Sequence, residues 1–168
     1  MIATFDVNYI NDTATTACVC FENWTDSIST SELIEEVNNI EPYESGNFYK
    51  RELPCLLSLI KSYQLNPDII VIDGYVWLEE DKIGLGGHLF AALDEKIPVV
   101  GVAKTRFKIH SKVREVLRGN SQNPLYVTAI GIDVDIVSDH IKNMDGEFRL
   151  PTLLKRVDQL CRGTVKMI

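Results

Sequence analysis

Two short segments constrain this chain more than any other feature: Ile69-Ile70-Val71-Ile72 and Pro98-Val99-Val100-Gly101-Val102-Ala103. Each is apolar throughout. Pro67-Asp68 and Asp73-Gly74 bound the first, and Lys104 ends the second. A strand with one wet face alternates apolar and polar residues. A strand apolar on both faces must be covered on both, which favours parallel pairing between layers of helix. Covering helices are legible. Leu53, Leu56, Leu57, Ile60 and Tyr63 recur at helical spacing, with Pro54 tolerable only near the helix start. Ile83 to Leu93 reads as a helix weakened at its start by Gly84, Gly86 and Gly87. Amphipathic helices are expected from Val134 to Met144 and from Pro151 to Cys161.

The N-terminal third adds β-type segments, Ile2 to Tyr9 and Ala14 to Phe21, separated by Asn11-Asp12 and so expected to form an antiparallel hairpin. Ser31 to Ile40 fits either a helix, through Leu33, Ile34, Val37 and Ile40, or a third strand. Leu125 to Ile132 is β-like. A hairpin followed by helix, strand, helix and strand predicts an α/β fold, a mixed sheet with helices on both faces. That order resembles a ribonuclease-H-like arrangement more than a doubly wound nucleotide-binding fold. No repeat or Pro/Gly/Ser-rich linker interrupts it, and 168 residues suit one domain, 1–168.

Composition excludes some functions. With 45% hydrophobic residues the chain has enough apolar surface to fold. Lys plus Arg total 17 against 24 Asp plus Glu, a net charge of −7, which rules out nucleic-acid binding by bulk positive charge but not by a local basic face. No apolar run approaches the roughly 20 residues of a membrane span. The first residues enter a strand pattern without signal-peptide features. The four cysteines, Cys18, Cys20, Cys55 and Cys161, lack zinc-knuckle spacing and read as buried thiols of a reducing compartment. A cytoplasmic protein without a membrane partner is expected.

Carboxylates stand at the strand ends. Asp73 closes a buried strand, where open α/β sheets bind ligands, although Asp-Gly also simply makes turns. Asp6 lies inside the first strand on one face with Thr4 and Asn8; covered, it needs a cation or partner, and solvated it needs nothing. Glu52 falls near a helix start, where the dipole alone favours an acid. Should the three converge, a hard divalent cation such as Mg²⁺ is the natural neutraliser, able to activate water and stabilise a leaving oxygen. Lys104 ends its strand either at that site or at water. Arg106, Lys108, Lys112, Arg114 and Arg118 follow with only Glu115 as an acidic neighbour, a strip for phosphates or a solvated face. His88, His110 and His140 form no catalytic pair. Gly84-Leu85-Gly86-Gly87 is neither a P-loop nor a dinucleotide fingerprint, which leaves a nucleotide-binding module as a weakly marked third class.

In order, Asp6-Val7-Asn8-Tyr9, Pro42-Tyr43 to Gly46, Arg51-Glu52 with Pro54, Val71-Ile72-Asp73-Gly74, Ile83-Gly84-Leu85-Gly86-Gly87-His88, Pro98 to Lys104, Pro124-Leu125-Tyr126-Val127 and Arg149-Leu150-Pro151-Thr152 resemble the endonuclease V family across nearly the whole chain. The resemblance implies a ribonuclease-H-like fold, a strand at Ser31 to Ile40, and metal-dependent hydrolysis of a phosphodiester 3′ to a deaminated purine of inosine type. DNA or RNA would be the partner and Mg²⁺ the cofactor, with Mn²⁺ as a substitute. It makes Asp6, Glu52 and Asp73 the metal-binding catalytic acids, with Lys104 beside the phosphate. Tyr43 becomes a wedge filling the gap left by a displaced base, with Gly46, Gly74, Gly86, Gly101 and Arg106 also on the substrate; outside that role Tyr43 is an ordinary loop aromatic.

Departures from the family pattern fall on the base-reading parts. Tyr75 and Val76 replace a His or Gln followed by Gly, and Val76 is expected to narrow a base pocket. Leu78-Glu79-Glu80-Asp81-Lys82 replaces a His-Pro-Arg-type stretch and would repel phosphate; Glu44-Ser45 makes the wedge wetter. A family His or Asp near the C-terminus aligns with Arg156, with Asp158 two residues on. The alternative reading is a non-catalytic or weakly active nucleic-acid-binding relative with altered base recognition.

Overall fold

The computed structural model describes residues 1–168 except Asn39, Glu41 and Gly46. In chain order the elements are β1 (Ile2–Ile10), β2 (Thr13–Phe21), β3 (Ser31–Asn38), α1 (Tyr49–Ser62), β4 (Ile69–Asp73), β5 (Trp77–Glu79), β6 (Lys82–Ile83), α2 (Leu85–Ala92), β7 (Val99–Ala103), β8 (Arg114–Val116), β9 (Leu125–Ile130), α3 (Val134–Lys142) and α4 (Thr152–Arg162). The two apolar runs are β4 and β7, inside a seven-stranded sheet of order β3-β2-β1-β4-β7-β9-β8. They pair in parallel with each other, and β4 also pairs in parallel with β1; β2, β3, β8 and β9 pair antiparallel. This is the mixed α/β sheet, ribonuclease-H-like, that the element order implied.

Alternate residues of the central strands feed two cores. Phe5, Ile70, Ile72 and Val99 pack with Leu56 and Leu59 of α1 and Leu89 of α2. On the other face Val71, Val100 and Val127 pack with Ile141 of α3 and Leu154, Val157 and Leu160 of α4. Period-2 alternation thus sorts one strand between two helical layers.

The ambiguous segment is a strand. β3 takes the edge beside β2, with Ala17 opposite Ile34, and its Glu32 is closed off by an ion pair to Arg156 of α4 at 2.9 Å. Two elements escaped the periodicity. Lys82–Ile83 closes a small hairpin with Trp77–Glu79, so α2 starts only at Leu85. β8 is three residues long and carries Arg114 and Glu115, which hides it among charged loop residues. α1 starts at Tyr49, and Pro54 lies inside it rather than at its start. The extra turn is held by Arg51 stacked 3.6 Å over the Tyr9 ring and by Tyr49 stacked on His88 of α2. No described helix is long and apolar enough to cross a membrane.

Arg118 departs from the sequence expectation of a phosphate-facing strip. It is 4% exposed, and its guanidinium donates to the carbonyls of Lys142, Met144, Gly146, Phe148 and Arg149 at 2.5–3.4 Å. A buried charge is tolerated here because carbonyl oxygens replace water. The loop joining α3 to α4 is therefore wound around one side chain. Arg118→Leu should cost about 3 kcal/mol, since several buried carbonyls lose their donor; urea unfolding measures it, and a loss within 0.5 kcal/mol would show that water satisfies the loop as well.

Candidate active site

The parallel register builds the site. Phe5 lies opposite Ile72, so the next residues, Asp6 and Asp73, occupy neighbouring positions where β4 ends. Alternation turns both away from the α1–α2 core and toward α4. Gly74 follows at φ +134°, a conformation open to glycine, and lets the chain leave the sheet there. α1 delivers Glu52 in its first turn from the other face, and Asp6, Glu52 and Asp73 together line a narrow cavity at the strand ends. Lys104, just past β7, reaches Asp73 Oδ2 at 3.4 Å. Arg149 donates to the Lys104 and Pro124 carbonyls and fixes the lysine's backbone.

α4 supplies a residue that the sequence alignment placed wrongly. Arg156, aligned with the family metal-binding position, is turned to Glu32 on the far side of the helix. Asp158 instead faces Asp6. One of its oxygens is held by Arg162 at 2.9 Å, one turn on. Asp6, Asp158 and Cys161 offer ligand atoms that all lie within 4.8 Å of one another. Glu52 and Asp73 stand outside that tight group while sharing the cavity with Asp6. The alternation of β1 located Asp6. Asp158 was legible only through the 3.6-residue period of α4, which puts 158 and 161 on one face and 156 on another.

Crowded carboxylates disfavour ionisation. Burial first, then the charge of Asp73 and a hydrogen bond with Asp158, push Asp6 up to about 7 against the pull of Lys104. Burial first, then Asp6 and Asp73, push Glu52 up to about 8. Asp73 is also raised by burial, with Lys104 pulling it back, and 40% of its side chain remains open to solvent. Burial pushes Asp158 upward too, but the bonds from Arg162 and Asp6 outweigh it and leave it lowered. Oxygen donors held together at this cost fit a hard divalent cation.

The site opens into a cleft of about 620 Å³ lined by Tyr43, Phe48, Glu52, Asp73, Gly74, Tyr75, Leu78, Lys104, Arg106 and Phe107. Tyr43 is 67% exposed at its rim. Tyr75 donates its hydroxyl to the Thr105 carbonyl at 2.7 Å and accepts from the Phe107 amide, pinning the loop that carries Arg106. Val76 does not narrow this cleft. It is fully buried, and its amide donates to Thr128 Oγ1 at 2.8 Å. Gly86 and Gly101 do not line the cleft either. A Cβ on Gly86 would meet Val76 Cγ2 at 2.6 Å, and one on Gly101 the Gly74 carbonyl at 2.5 Å, so both are sites of close packing. Gly46 lies outside the described residues.

The basic strip is largely occupied. Lys108 pairs with Glu79, Ser111 donates twice to Glu80, Lys112 donates to the Glu80 carbonyl and lies 3.7 Å over Trp77, and Arg114 pairs with Asp135. The acidic stretch expected to repel phosphate is thus a clamp that fastens the β5–β6 hairpin to this strip. Of these cations Arg106 alone lines the cleft, and among the described residues it carries no ion pair.

The raised acids carry a sign. Between the unfolded carboxylate range near pH 4 and the folded values near 7 and 8, the folded metal-free protein binds more protons than the unfolded chain. Its stability therefore falls as pH rises through that window. Thermal unfolding without metal should show a lower midpoint at pH 8 than at pH 5.5. Asp6→Asn should raise the midpoint at pH 8 and flatten the profile. A midpoint that climbs with pH would refute the crowding.

Comparison with known proteins places this geometry. The Endonuclease V family model matches residues 1–144. Endonuclease V of Streptomyces avermitilis is 28% identical over 146 residues, covering 74% of this chain and 62% of its own length. That of Bacillus subtilis is 34% identical over 84 residues, covering 48% and 34%. The chain thus spans less than two thirds of the length of these curated relatives. The crystal structure of the Streptomyces avermitilis protein superposes with a TM-score of 0.76 at 23% identity, over 97% of this chain and 80% of that one. Ciona intestinalis Endonuclease V (D234N), solved with a 23mer DNA containing an inosine followed by a ribo-adenosine, superposes at 0.77 and 17% identity, over 97% and 84%. At these identities the superpositions speak for the fold, and the family match speaks for kinship: the chain belongs to the endonuclease V family.

Proposed function

We propose that this chain is a metal-dependent endonuclease that hydrolyses a phosphodiester 3′ to a deaminated purine, of inosine type, in DNA or RNA. The observation that carries this reading is the gathering of Asp6, Glu52 and Asp73 at the end of two parallel strands, beside Lys104 and open to the Tyr43 cleft. The inosine-containing DNA bound by the Ciona intestinalis protein supports the substrate class. Four free, buried thiols fit a reducing compartment, and we place the enzyme in the cytoplasm.

In this reading Asp6, Glu52 and Asp73 hold Mg²⁺, or Mn²⁺ in its place, with Asp158 adjoining. Such an ion supplies activation of water and stabilisation of the leaving oxygen. Lys104 neutralises Asp73 in the free protein and turns to the phosphate when substrate arrives. Arg106 grips a flanking phosphate. Tyr43, exposed and flat, fills the gap left by the displaced base, which offsets part of the unstacking cost. Gly74 gives backbone access to the base, while Gly86 and Gly101 act by packing the floor beneath it. The non-catalytic alternative draws on the altered Tyr75 to Lys82 stretch, and the same assay separates the two.

With Mg²⁺ and inosine-containing single-stranded and duplex oligonucleotides, the protein should cleave, and Asp73→Ala should fall by about two orders of magnitude or more. Equal background from both proteins would leave only the binding relative. Arg106→Ala should weaken binding similarly across sequences and lower the salt slope by about one. An unchanged slope in titrations from low to moderate salt would remove Arg106 from the phosphate path.

A further inference from the structure

We propose that Cys161 is a metal-facing ligand that lets the Asp6–Asp158 side of the site take a thiophilic divalent cation, of the zinc and cadmium class, through one sulfur and carboxylate oxygens. The inference rests on reading the site as a metal centre and adds a donor that Mg²⁺ chemistry does not require. Cys161 follows Asp158 by three residues on α4, so both side chains leave the same face of the helix. The Cys161 sulfur is buried, and its hydrogen bond goes to the Asp158 carbonyl of its own helix at 3.2 Å. Cys18 and Cys20 lie 3.7 Å from each other, and Cys55, like Cys161, donates to a carbonyl of its own helix, that of Arg51. Among the described residues, Cys161 is the one that groups with carboxylates.

The spacing suits a bound ion. Zinc lies about 2.3 Å from sulfur and about 2.0–2.2 Å from oxygen, so two ligands of one tetrahedral ion stand about 3.5 Å apart. The three donors already lie within 4.8 Å of one another, so closure onto one ion needs side-chain shifts of up to about 1 Å. Magnesium is hard and takes oxygen, whereas a thiolate selects softer metals. As the metal–sulfur bond forms, the thiol proton passes to buffer. A softer ion therefore competes for a site that Mg²⁺ holds through oxygen alone.

Titration of the metal-free protein with Cd²⁺, followed by calorimetry and by the ultraviolet sulfur-to-cadmium charge-transfer band, tests this. One equivalent should bind and produce the band. Cys161→Ser should abolish the band and weaken Cd²⁺ at least about tenfold, the cost of disturbing even an outer partner of a bound metal. Cys55→Ser should keep both, and Asp158→Asn should weaken binding. Circular dichroism checks folding, and Cys161→Ala replaces the serine variant if that one unfolds. A band that survives loss of Cys161, or its absence from the unaltered protein, overturns the proposal. Failure of Mg²⁺-dependent cleavage with the cadmium band intact would instead count against the nuclease reading alone.

Discussion

Like charge held at close quarters is the constraint on which the rest of this structure turns. Once β1 and β4 pair in parallel with Phe5 beside Ile72, two aspartates must emerge together at the sheet end, and no rotamer can send them to opposite faces. The elements around them add acid rather than relieve it: Glu52 arrives from α1 and Asp158 from α4, against the cations of Lys104 and Arg162. A fold selected for stability alone would place apolar or neutral side chains there. Retaining the charges makes sense where a polyvalent cation completes the arrangement, and this electrostatic incompleteness, more than the sheet order, is the functional signature of the chain.

The surroundings of the cleft show charge being confined. An acidic hairpin sits against the basic strip, so that Lys108, Lys112 and Arg114 serve tertiary structure, while Lys104 and Arg106 remain at the cleft. For a protein of net charge −7 this matters. In the proposed function its grip on a polyanion would depend on a few placed cations and on the rings of Tyr43, Tyr75 and Phe107, not on a broad field. Tyr75 belongs to that design twice over, as a wall of the cleft and as the hydroxyl that ties down the Arg106 loop.

Much of this was legible in the sequence because it follows from period and polarity. The buried runs gave β4 and β7, the spacing of Leu56 and Ile60 gave α1, and the alternation around Asp6 gave its face. What stayed hidden depends on contacts far apart in the chain. β3 could not be told from a helix until β2 lay beside it. Glu79 and Glu80 looked repulsive because their partners are about 30 residues away. Val76 looked like an obstruction because its burial beneath Gly86 is a tertiary fact. Asp158 was passed over for Arg156 because linear alignment ignores which side of a helix a residue occupies.

Arg118 makes the geometry of the Asp158 side of the site a long-distance property. The last carbonyl it holds belongs to Arg149, and α4 begins at Thr152, so the helix carrying Asp158 is hung from a guanidinium in the loop that follows β8. Damage to that anchor would mimic damage to a ligand. If the chain acts as proposed, variants with intact carboxylates and lost turnover would belong as much to this suspension point as to the cleft, and a search for inactivating changes confined to groups that touch substrate would overlook it.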